Sequence, residues 1–198
     1  DLSIYNRALT AVEIQQHSVM GSATMVEPAG VTGSSTPLSG SVSLTLTDAD
    51  LSDTHAASIG APVLSWSGGA VPSAVASALA NVASAAVTTD TTGTGVGAVT
   101  VNFAAPQSTF DFLAAGQTLT ASYSVTVSDG HGGTAVQPAT FVIVGSNDTA
   151  SISGTASGSV HEDGVLTASG SLSVADADSG EAHFLAPNAS ALHGVYGD

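Results

Sequence analysis

Apolar and hydroxyl-bearing residues alternate strictly along TLTASYSVTVS, residues 118–128. Because successive side chains of a strand point to opposite faces, this alternation predicts a half-buried β-strand. The same pattern predicts strands over 41–47 and 99–103, and the apolar run 141–144 predicts another. Gly, Asp, Asn and Pro separate these segments, as turn residues do. The pattern therefore predicts an all-β protein.

Two segments interrupt the alternation with helical spacing. In PSAVASALANVASAA, residues 72–86, apolar residues recur at helical intervals after a proline, which predicts one short inserted helix. DFLAAG, residues 111–116, predicts a single helical turn with Asp111 as N-cap and Gly116 just beyond its end. The spacing around Tyr123 resembles the tyrosine corner of immunoglobulin-like sandwiches. We place both helical pieces at corners of a β-sandwich.

The chain contains an internal repeat. SLTLTDADLSDTH, residues 43–55, matches SLSVADADSGEAH, residues 171–183, position by position at an offset of 128 residues. The matched pairs are Asp48 and Asp176, Asp50 and Asp178, Asp53 and Glu181, and His55 and His183. A period of this length holds a whole β-sandwich domain rather than a turn of a solenoid. The sequence therefore predicts tandem immunoglobulin- or cadherin-like sandwiches, of which the second is truncated.

Charge narrows the classes of partner. The chain has 16 Asp and Glu residues against a single basic residue, Arg7, and a formal net charge of −15. Nucleic acids and anionic lipids are disfavoured as partners because binding them requires Lys and Arg. No stretch approaches the ~20 apolar residues of a membrane span, so we expect no membrane insertion. The chain has no cysteine, which excludes disulfides and thiolate metal sites.

No enzymatic activity is predicted. Paired carboxylates occur in glycosidases, but such a site also needs aromatic side chains that bind the sugar, and this chain has one Trp and three Tyr. No Ser-His-Asp arrangement stands out among the many serines. The six histidines are scattered, so a structural polar role is preferred over zinc binding, which needs a tetrahedral cluster.

The acidic clusters instead predict calcium binding. Asp176 and Asp178 project to the same side of an extended chain, roughly 6–7 Å apart, and such paired charges need a cation. Calcium is the hard cation that takes six to eight oxygens in flexible geometry. We expect Asn147 and Asp148 of the inter-repeat segment, with Glu162, to complete the shell. For any single Asp the alternative is a turn in which the side chain caps main-chain amides.

Four further residues, in two places, are candidate calcium ligands. By the same argument Glu27, Asp48 and Asp50 would form an upstream half-site. VSDGHGGTA, residues 127–135, is best interpreted as a tight hairpin, with Asp129 as a calcium ligand in the alternative interpretation. A phosphate-binding loop is excluded there because no Lys follows the glycines.

The motifs resemble known repeat families. Residues 153–184 and 194–198 resemble the core of the VCBS repeat, and residues 110–135, followed by VGSNDTA, resemble its closing half. ADADSGEA and GSNDTA resemble the DxD loop and the Asn-Asp linker with which cadherins ligate calcium between successive domains. The resemblance implies arrays in RTX-type bacterial adhesins, hence an extracellular or cell-surface structural module, secreted by a type I route. The implied partners are neighbouring repeats and a cell-surface glycan or a host or abiotic surface.

A different family is suggested at the start of the chain. DLSIYNRALTAVEIQQH resembles the trailing segment of a concanavalin-like, laminin-G-type jelly roll. This resemblance motivates an alternative function, a carbohydrate-binding accessory region of a secreted enzyme or lectin. The expected organisation is a jelly-roll end (1–19), a linker (20–26), a first VCBS- or cadherin-like repeat (27–148) and the start of a second (149–198).

Overall fold

The computed structural model describes residues 2–3, 21–164 and 166–185. Its strands are β1 (Leu2–Ser3), β2 (Ser22–Val26), β3 (Pro37–Thr47), β4 (Ala56–Trp66), β5 (Ala83–Thr89), β6 (Val96–Pro106), β7 (Thr118–Ser128), β8 (Thr134–Val144), β9 (Ser151–Thr155) and β10 (Ser171–Ala175). One α-helix, α1 (Ser73–Leu79), lies between β4 and β5, and a 3₁₀ helix (Gln107–Thr109) follows β6. In the described part of the chain, no helix is long and apolar enough to cross a membrane.

The strands form two four-stranded sheets and a two-stranded one. The orders are β1-β3-β6-β5, β2-β8-β7-β4 and β10-β9. Strand β2 runs parallel to β8, whereas β3, β6 and β5, and likewise β8, β7 and β4, are antiparallel neighbours. The all-β sandwich prediction is confirmed, and β7 has the bounds that the alternation predicted.

The two four-stranded sheets pack face to face over a core of aromatic and aliphatic side chains. Phe103 of β6 stacks on Phe141 of β8, with ring centroids 4.9 Å apart, and lies 6.3 Å from the ring of Tyr123 on β7. Every second residue of β7 from Leu119 to Val127 is buried, as the alternation requires. The core therefore lies between the sheets, and the loops collect at the two ends of the sandwich.

The predicted short inserted helix is confirmed as α1, whereas its predicted extent and the second helical turn need correction. The helix expected over 72–86 ends at Leu79, because Ala83, Ala85 and Val87 turn inward at alternate positions and pair with β6 as strand β5. Residues 111–116 do not form a helical turn, and the 3₁₀ helix lies four residues earlier, at Gln107–Thr109. Ala-rich segments satisfy either period, so the available partner strand decides the structure.

Two smaller expectations also differ from the structure. The hydroxyl of Tyr123 donates a 2.8 Å hydrogen bond to the carbonyl oxygen of Leu79, which ties β7 to the end of α1 rather than to the main chain just upstream. Residues 20–26 are not a simple linker, because Ser22–Val26 forms β2 and completes the sheet beside β8. The jelly-roll prediction for residues 1–19 falls almost wholly outside the described residues.

The sequence repeat is also a structural repeat. Strand β10 occupies the positions that match residues 43–47 of β3. In the turns that follow, the amide of Asp50 donates to Oδ1 of Asp48 at 2.9 Å, and the amide of Asp178 donates to Oδ1 of Asp176 at 3.1 Å. The two matched segments therefore form the same strand and turn.

Candidate metal centre

Four carboxylates from four chain segments meet at one end of the sandwich. Glu27 follows β2, Asp111 lies between β6 and β7, Asp148 lies beyond β8, and Asp178 lies in the turn after β10. Glu27, Asp148 and Asp178 are only 2%, 1% and 2% exposed. One carboxylate oxygen each from Glu27, Asp111 and Asp148 lie within 4.8 Å of one another. We call these four residues the junction cluster, since Asp178 belongs to the second repeat.

Main-chain contacts hold Glu27 in place. Its amide donates to the carbonyl oxygen of Val144, which extends the pairing of β2 with β8 by one residue. The amide of Ser146 donates to Oε2 of Glu27 at 3.3 Å, and the hydroxyl of Ser146 donates to the Glu27 carbonyl oxygen at 2.9 Å. The end of β2 and the segment after β8 are thereby locked together.

Close backbone packing brings the Asp111 loop to the same place. A Cβ atom on Gly145 would lie 2.3 Å from the carbonyl oxygen of Leu113, so only glycine permits this approach. The amide of Gly33 donates to Oδ2 of Asp111 at 2.7 Å and fixes that carboxylate. Asp111 therefore faces the cluster, although its loop is not helical.

The second repeat reaches the cluster through its acidic turn. The amide of Asp148 donates to Oδ2 of Asp178 at 2.8 Å, and the amide of Ser179 donates to the carbonyl oxygen of Phe112 at 3.1 Å. These two bonds join the turn after β10 to the Asp111 loop and to the segment that follows β8, residues 145–150. We call this segment the linker between the repeats. The cluster thus spans the boundary between the repeats.

Five buried carboxylate oxygens in this cluster have no hydrogen-bond partner. They are Glu27 Oε1, Asp111 Oδ1, Asp148 Oδ1, Asp148 Oδ2 and Asp178 Oδ1. Burying an ionised carboxylate without a partner costs several kcal/mol. The single basic residue of the chain, Arg7, lies outside the described residues. The cluster therefore requires compensation by a bound cation or by protons.

The pKa values of two carboxyls in the cluster reflect the same unfavourable burial of charge. Burial raises the pKa of Glu27 to about 8; the Ser146 hydrogen bond opposes this shift, and the charges of Asp148, Asp111 and Asp178 add to it. Burial, followed by the charge of Asp178, also raises the pKa of Asp148. Without a cation, both carboxyls hold a proton more tightly than an ordinary carboxyl.

Some predicted ligands come together here and others stand at its margin. Asp148 and Asp178 lie in the cluster. Asp176 is half-buried, and its Oδ1 accepts the amide of Asp178, so it supports the turn. Asn147 is exposed, and its side-chain amide donates to the carbonyl oxygen of Asp148. Glu162 is exposed in a turn of the second repeat.

The predicted upstream half-site is not formed as expected. Glu27 lies at the junction cluster, whereas Asp48 and Asp50 lie beyond the other end of β3, at the opposite end of the sandwich. Both oxygens of Asp48 are occupied: Oδ1 accepts from the amide of Asp50, and Oδ2 lies 2.9 Å from Nε2 of His55. Asp50 is exposed. At Asp48, His55 is therefore the partner of the carboxylate, in the place predicted for calcium.

His55 is clamped between two carboxylates. Its side chain is fully buried, and its Nδ1 lies 2.7 Å from Oδ1 of Asp90. The hydroxyl of Thr91 lies 3.5 Å from the same nitrogen, but Thr91 is fully buried and Asp90 is much closer. The arrangement joins the loop after β3 to the loop after β5.

Asp129 caps its own hairpin. Its Oδ1 accepts the amides of His131 at 2.7 Å and Gly133 at 2.9 Å. Gly130 and Gly132 have φ values of 76° and 105°, which glycine adopts readily. These contacts agree with the hairpin interpretation of residues 127–135 and leave Asp129 apart from the junction cluster.

Asp111 is the cluster residue that the sequence did not indicate. The helical-turn prediction gave its carboxylate the task of an N-cap, although it lies inside the stretch that resembles the closing half of a VCBS repeat. Its position between Phe110, which is fully buried, and the partly buried Phe112 was the usable indication, because a carboxylate between two core aromatics is held near the interior.

A scan against protein-family models and a search of curated proteins both find no match for this chain.

Proposed function

We propose that the chain is a calcium-binding structural module of an extracellular adhesive array, with the ion bound at the junction between its repeats. The observation that carries the proposal is the set of five buried, unpartnered carboxylate oxygens contributed by four segments of two repeats. The sequence pattern predicted Asp148 and Asp178 as ligands of one site. The folded chain brings Glu27 and Asp111 to the same site.

The donor set favours calcium. All five free atoms are carboxylate oxygens, the chain has no cysteine, and no histidine belongs to the group of ligand atoms within 4.8 Å. Hard oxygen donors suit calcium, magnesium and manganese rather than zinc or copper. Carboxylate oxygens that lie within 4.8 Å of one another are close enough to share one ion, since calcium–oxygen bonds are about 2.3–2.6 Å long.

A bound ion would act mechanically. It would neutralise charges on the end of β2, the Asp111 loop, the linker and the turn of the second repeat at once. These segments move independently only if the ion leaves. Calcium would therefore remove hinge freedom between repeats and extend the array, whereas its loss would leave like charges facing one another.

The wider parts of the proposal rest on other observations. The resemblance to VCBS and cadherin repeats supports placement outside the cell, in a repetitive surface protein. The structural match of β10 and its turn to β3 supports neighbouring repeats as partners. The net charge of −15 supports a cation and disfavours nucleic acid. A glycan or another surface as the adhesion target follows from the family resemblance alone.

Calcium titration of the 198-residue chain tests the proposal. We expect calcium to raise the free energy of unfolding by RT ln(1 + [L]/Kd), about 2.7 kcal/mol at one hundred times Kd. The unfolding temperature should rise accordingly, and EDTA should reverse the effect. Asp178→Asn should weaken binding measured by calorimetry at least tenfold. Asp129→Asn removes the same charge at the opposite end and should bind as the parent does. No thermal shift at millimolar calcium would contradict the proposal.

A further inference from the structure

The four carboxylates of the junction cluster offer different numbers of free oxygens. In Glu27, Asp111 and Asp178, one oxygen accepts a main-chain amide, from Ser146, Gly33 and Asp148 respectively. The other oxygen of each has no partner. Each of these three carboxylates is thereby held through one oxygen and keeps a single oxygen free.

Asp148 is different, because neither of its buried carboxylate oxygens accepts a well-formed hydrogen bond; the nearby amide of Gly30 donates instead to the carbonyl oxygen of Asn147 at 3.2 Å. The residue is only 1% exposed, and its own amide is held by Asp178 at 2.8 Å. The main chain at Asp148 is therefore fixed while its whole carboxylate remains available. A residue in this state is suited to grip one ion with two oxygens.

We propose that Asp148 is the bidentate ligand of the junction site and the residue that makes the site select calcium over magnesium. This inference rests on the proposed function. With Asp148 bidentate and Glu27 and Asp111 monodentate, the three carboxylates that offer oxygens within 4.8 Å of one another supply four oxygens, and the free Oδ1 of the adjacent Asp178 is a fifth unpartnered atom. Calcium takes six to eight oxygens, so carbonyl groups or water complete its shell.

Magnesium does not fit such a donor set. It demands an octahedron with bonds of 2.0–2.1 Å, in which neighbouring ligand atoms stand about 2.9 Å apart, and it gives up its water reluctantly. The two oxygens of one carboxylate are closer together than that, so they cannot fill adjacent octahedral positions without distortion. Calcium accepts bidentate carboxylates because its geometry is flexible. The denticity of Asp148 therefore discriminates between the two ions.

The test compares two variants that each replace one carboxylate of the cluster by an amide. Calcium and magnesium affinities of the full chain are measured separately by calorimetry for the parent, Asp148→Asn and Asp111→Asn. Asp111→Asn removes one charge and one ligand oxygen, so we expect both affinities to fall and their ratio to stay within threefold. Asp148→Asn cannot bind through two oxygens, so we expect the calcium-to-magnesium affinity ratio to fall at least tenfold.

The possible outcomes separate the two proposals. Equal ratios in the two variants would overturn the bidentate role of Asp148 and leave calcium binding intact. Absence of binding by the parent would remove the proposed function itself. Unfolding of each variant in EDTA, followed by circular dichroism, verifies the fold, and Asp148→Ser replaces Asp148→Asn if the latter does not fold.

Discussion

Glu27 shows what the site costs when no cation is present. Because the pKa of its carboxyl is raised to about 8, the folded, metal-free protein keeps a proton that the unfolded chain loses above about 4.5. The folded state therefore binds more protons in this window, and the free energy of unfolding falls as pH rises from about 4.5 to about 8. Acidification in the absence of metal should stabilise the chain at this residue.

Glu27→Gln should separate stability from binding. Removing the buried charge should stabilise the metal-free chain at pH 8.5 by on the order of 3 kcal/mol, since one pKa unit corresponds to about 1.4 kcal/mol. The same substitution should weaken calcium binding, because a ligand oxygen loses its charge. Urea unfolding in EDTA at pH 5 to 8.5 measures the first effect. Parallel pH profiles in parent and variant would show that Glu27 carries no such cost.

His55 has the opposite charge, but its contribution to stability also falls as pH rises. Ionised carboxylates only accept hydrogen bonds, so contacts of both ring nitrogens with Asp48 and Asp90 require the imidazolium form. Burial lowers the pKa of His55, but the hydrogen bonds to Asp90 and Asp48 outweigh it, and the net pKa is raised above 6.5. The stabilisation is fully present below pH 6.5 and is lost as pH rises through the raised value.

His55→Gln should therefore destabilise the chain most at mildly acidic pH. We expect a loss of about 1–3 kcal/mol in the free energy of unfolding at pH 6, and a smaller loss at pH 9. His131→Gln is the matched control, because that side chain is 73% exposed and its loss should cost under about 0.5 kcal/mol. A pH-independent effect of His55→Gln would rule out the charged clamp.

Among the secondary-structure elements, strict alternation predicted the strands well, whereas helical spacing predicted the helices poorly. In β7, apolar residues occupy every second position and hydroxyl-bearing residues the others, so only one period fits. Residues 72–86 are rich in alanine, which fits a helix and a strand equally, and pairing with β6 made Ala83–Thr89 a strand. Sequence alone could not place that decision, because it depends on which strand edge is free.

The repeat predicted the acidic turn, and the fold decided what each copy of the turn contacts. Both copies of the turn share a second main-chain hydrogen bond. The amide of Asp53 donates to the carbonyl oxygen of Asp50, and the amide of Glu181 donates to that of Asp178, each at 3.2 Å. Asp178 accepts the amide of Asp148, whereas its counterpart Asp50 is exposed and the neighbouring Asp48 contacts His55. Glu27 and Asp111 are 84 positions apart in the chain, so no local pattern could have joined them.

Gly145 couples the linker to the Asp111 loop, and its replacement should damage the site. In Gly145→Ala the new Cβ would lie 2.3 Å from the Leu113 carbonyl oxygen and 2.7 Å from that of Ala114, both main-chain atoms that yield little. We expect a loss of about 2 kcal/mol in the free energy of unfolding and a calcium affinity at least tenfold weaker. Thermal unfolding and calorimetry measure the two effects.

Gly60→Ala provides the control for this change. Its Cβ would meet the nearest atoms, both of Ser124, at 3.7 Å, an ordinary contact, and it lies far from the junction. We expect stability within about 0.5 kcal/mol of the parent and unchanged calcium binding. If both glycine variants lost calcium affinity equally, close packing at Gly145 would not be the cause.

For the whole molecule, the proposed function implies that the arrangement of the two repeats depends on an ion bound at the junction cluster. Few direct bonds join the described parts of the two repeats, chiefly Asp148 to Asp178 and Ser179 to Phe112. Four facing carboxylates oppose that contact when they are ionised. Calcium should reverse the sign of this term, so that the same residues that repel in EDTA hold the repeats together.

Distances between spin labels test this consequence directly, because the chain has no cysteine of its own. Labels at Ser124→Cys on β7 and Ser173→Cys on β10, both exposed, should give a narrow distance distribution in calcium and a broader one in EDTA. A pair within the first repeat, Ser124→Cys with Ser39→Cys, should not respond. Adding Asp178→Asn should abolish the narrowing between repeats while leaving the inner pair unchanged, since only the junction loses its ligand. Equal widths in calcium and EDTA would mean that the ion, even if bound, does not fix the repeats.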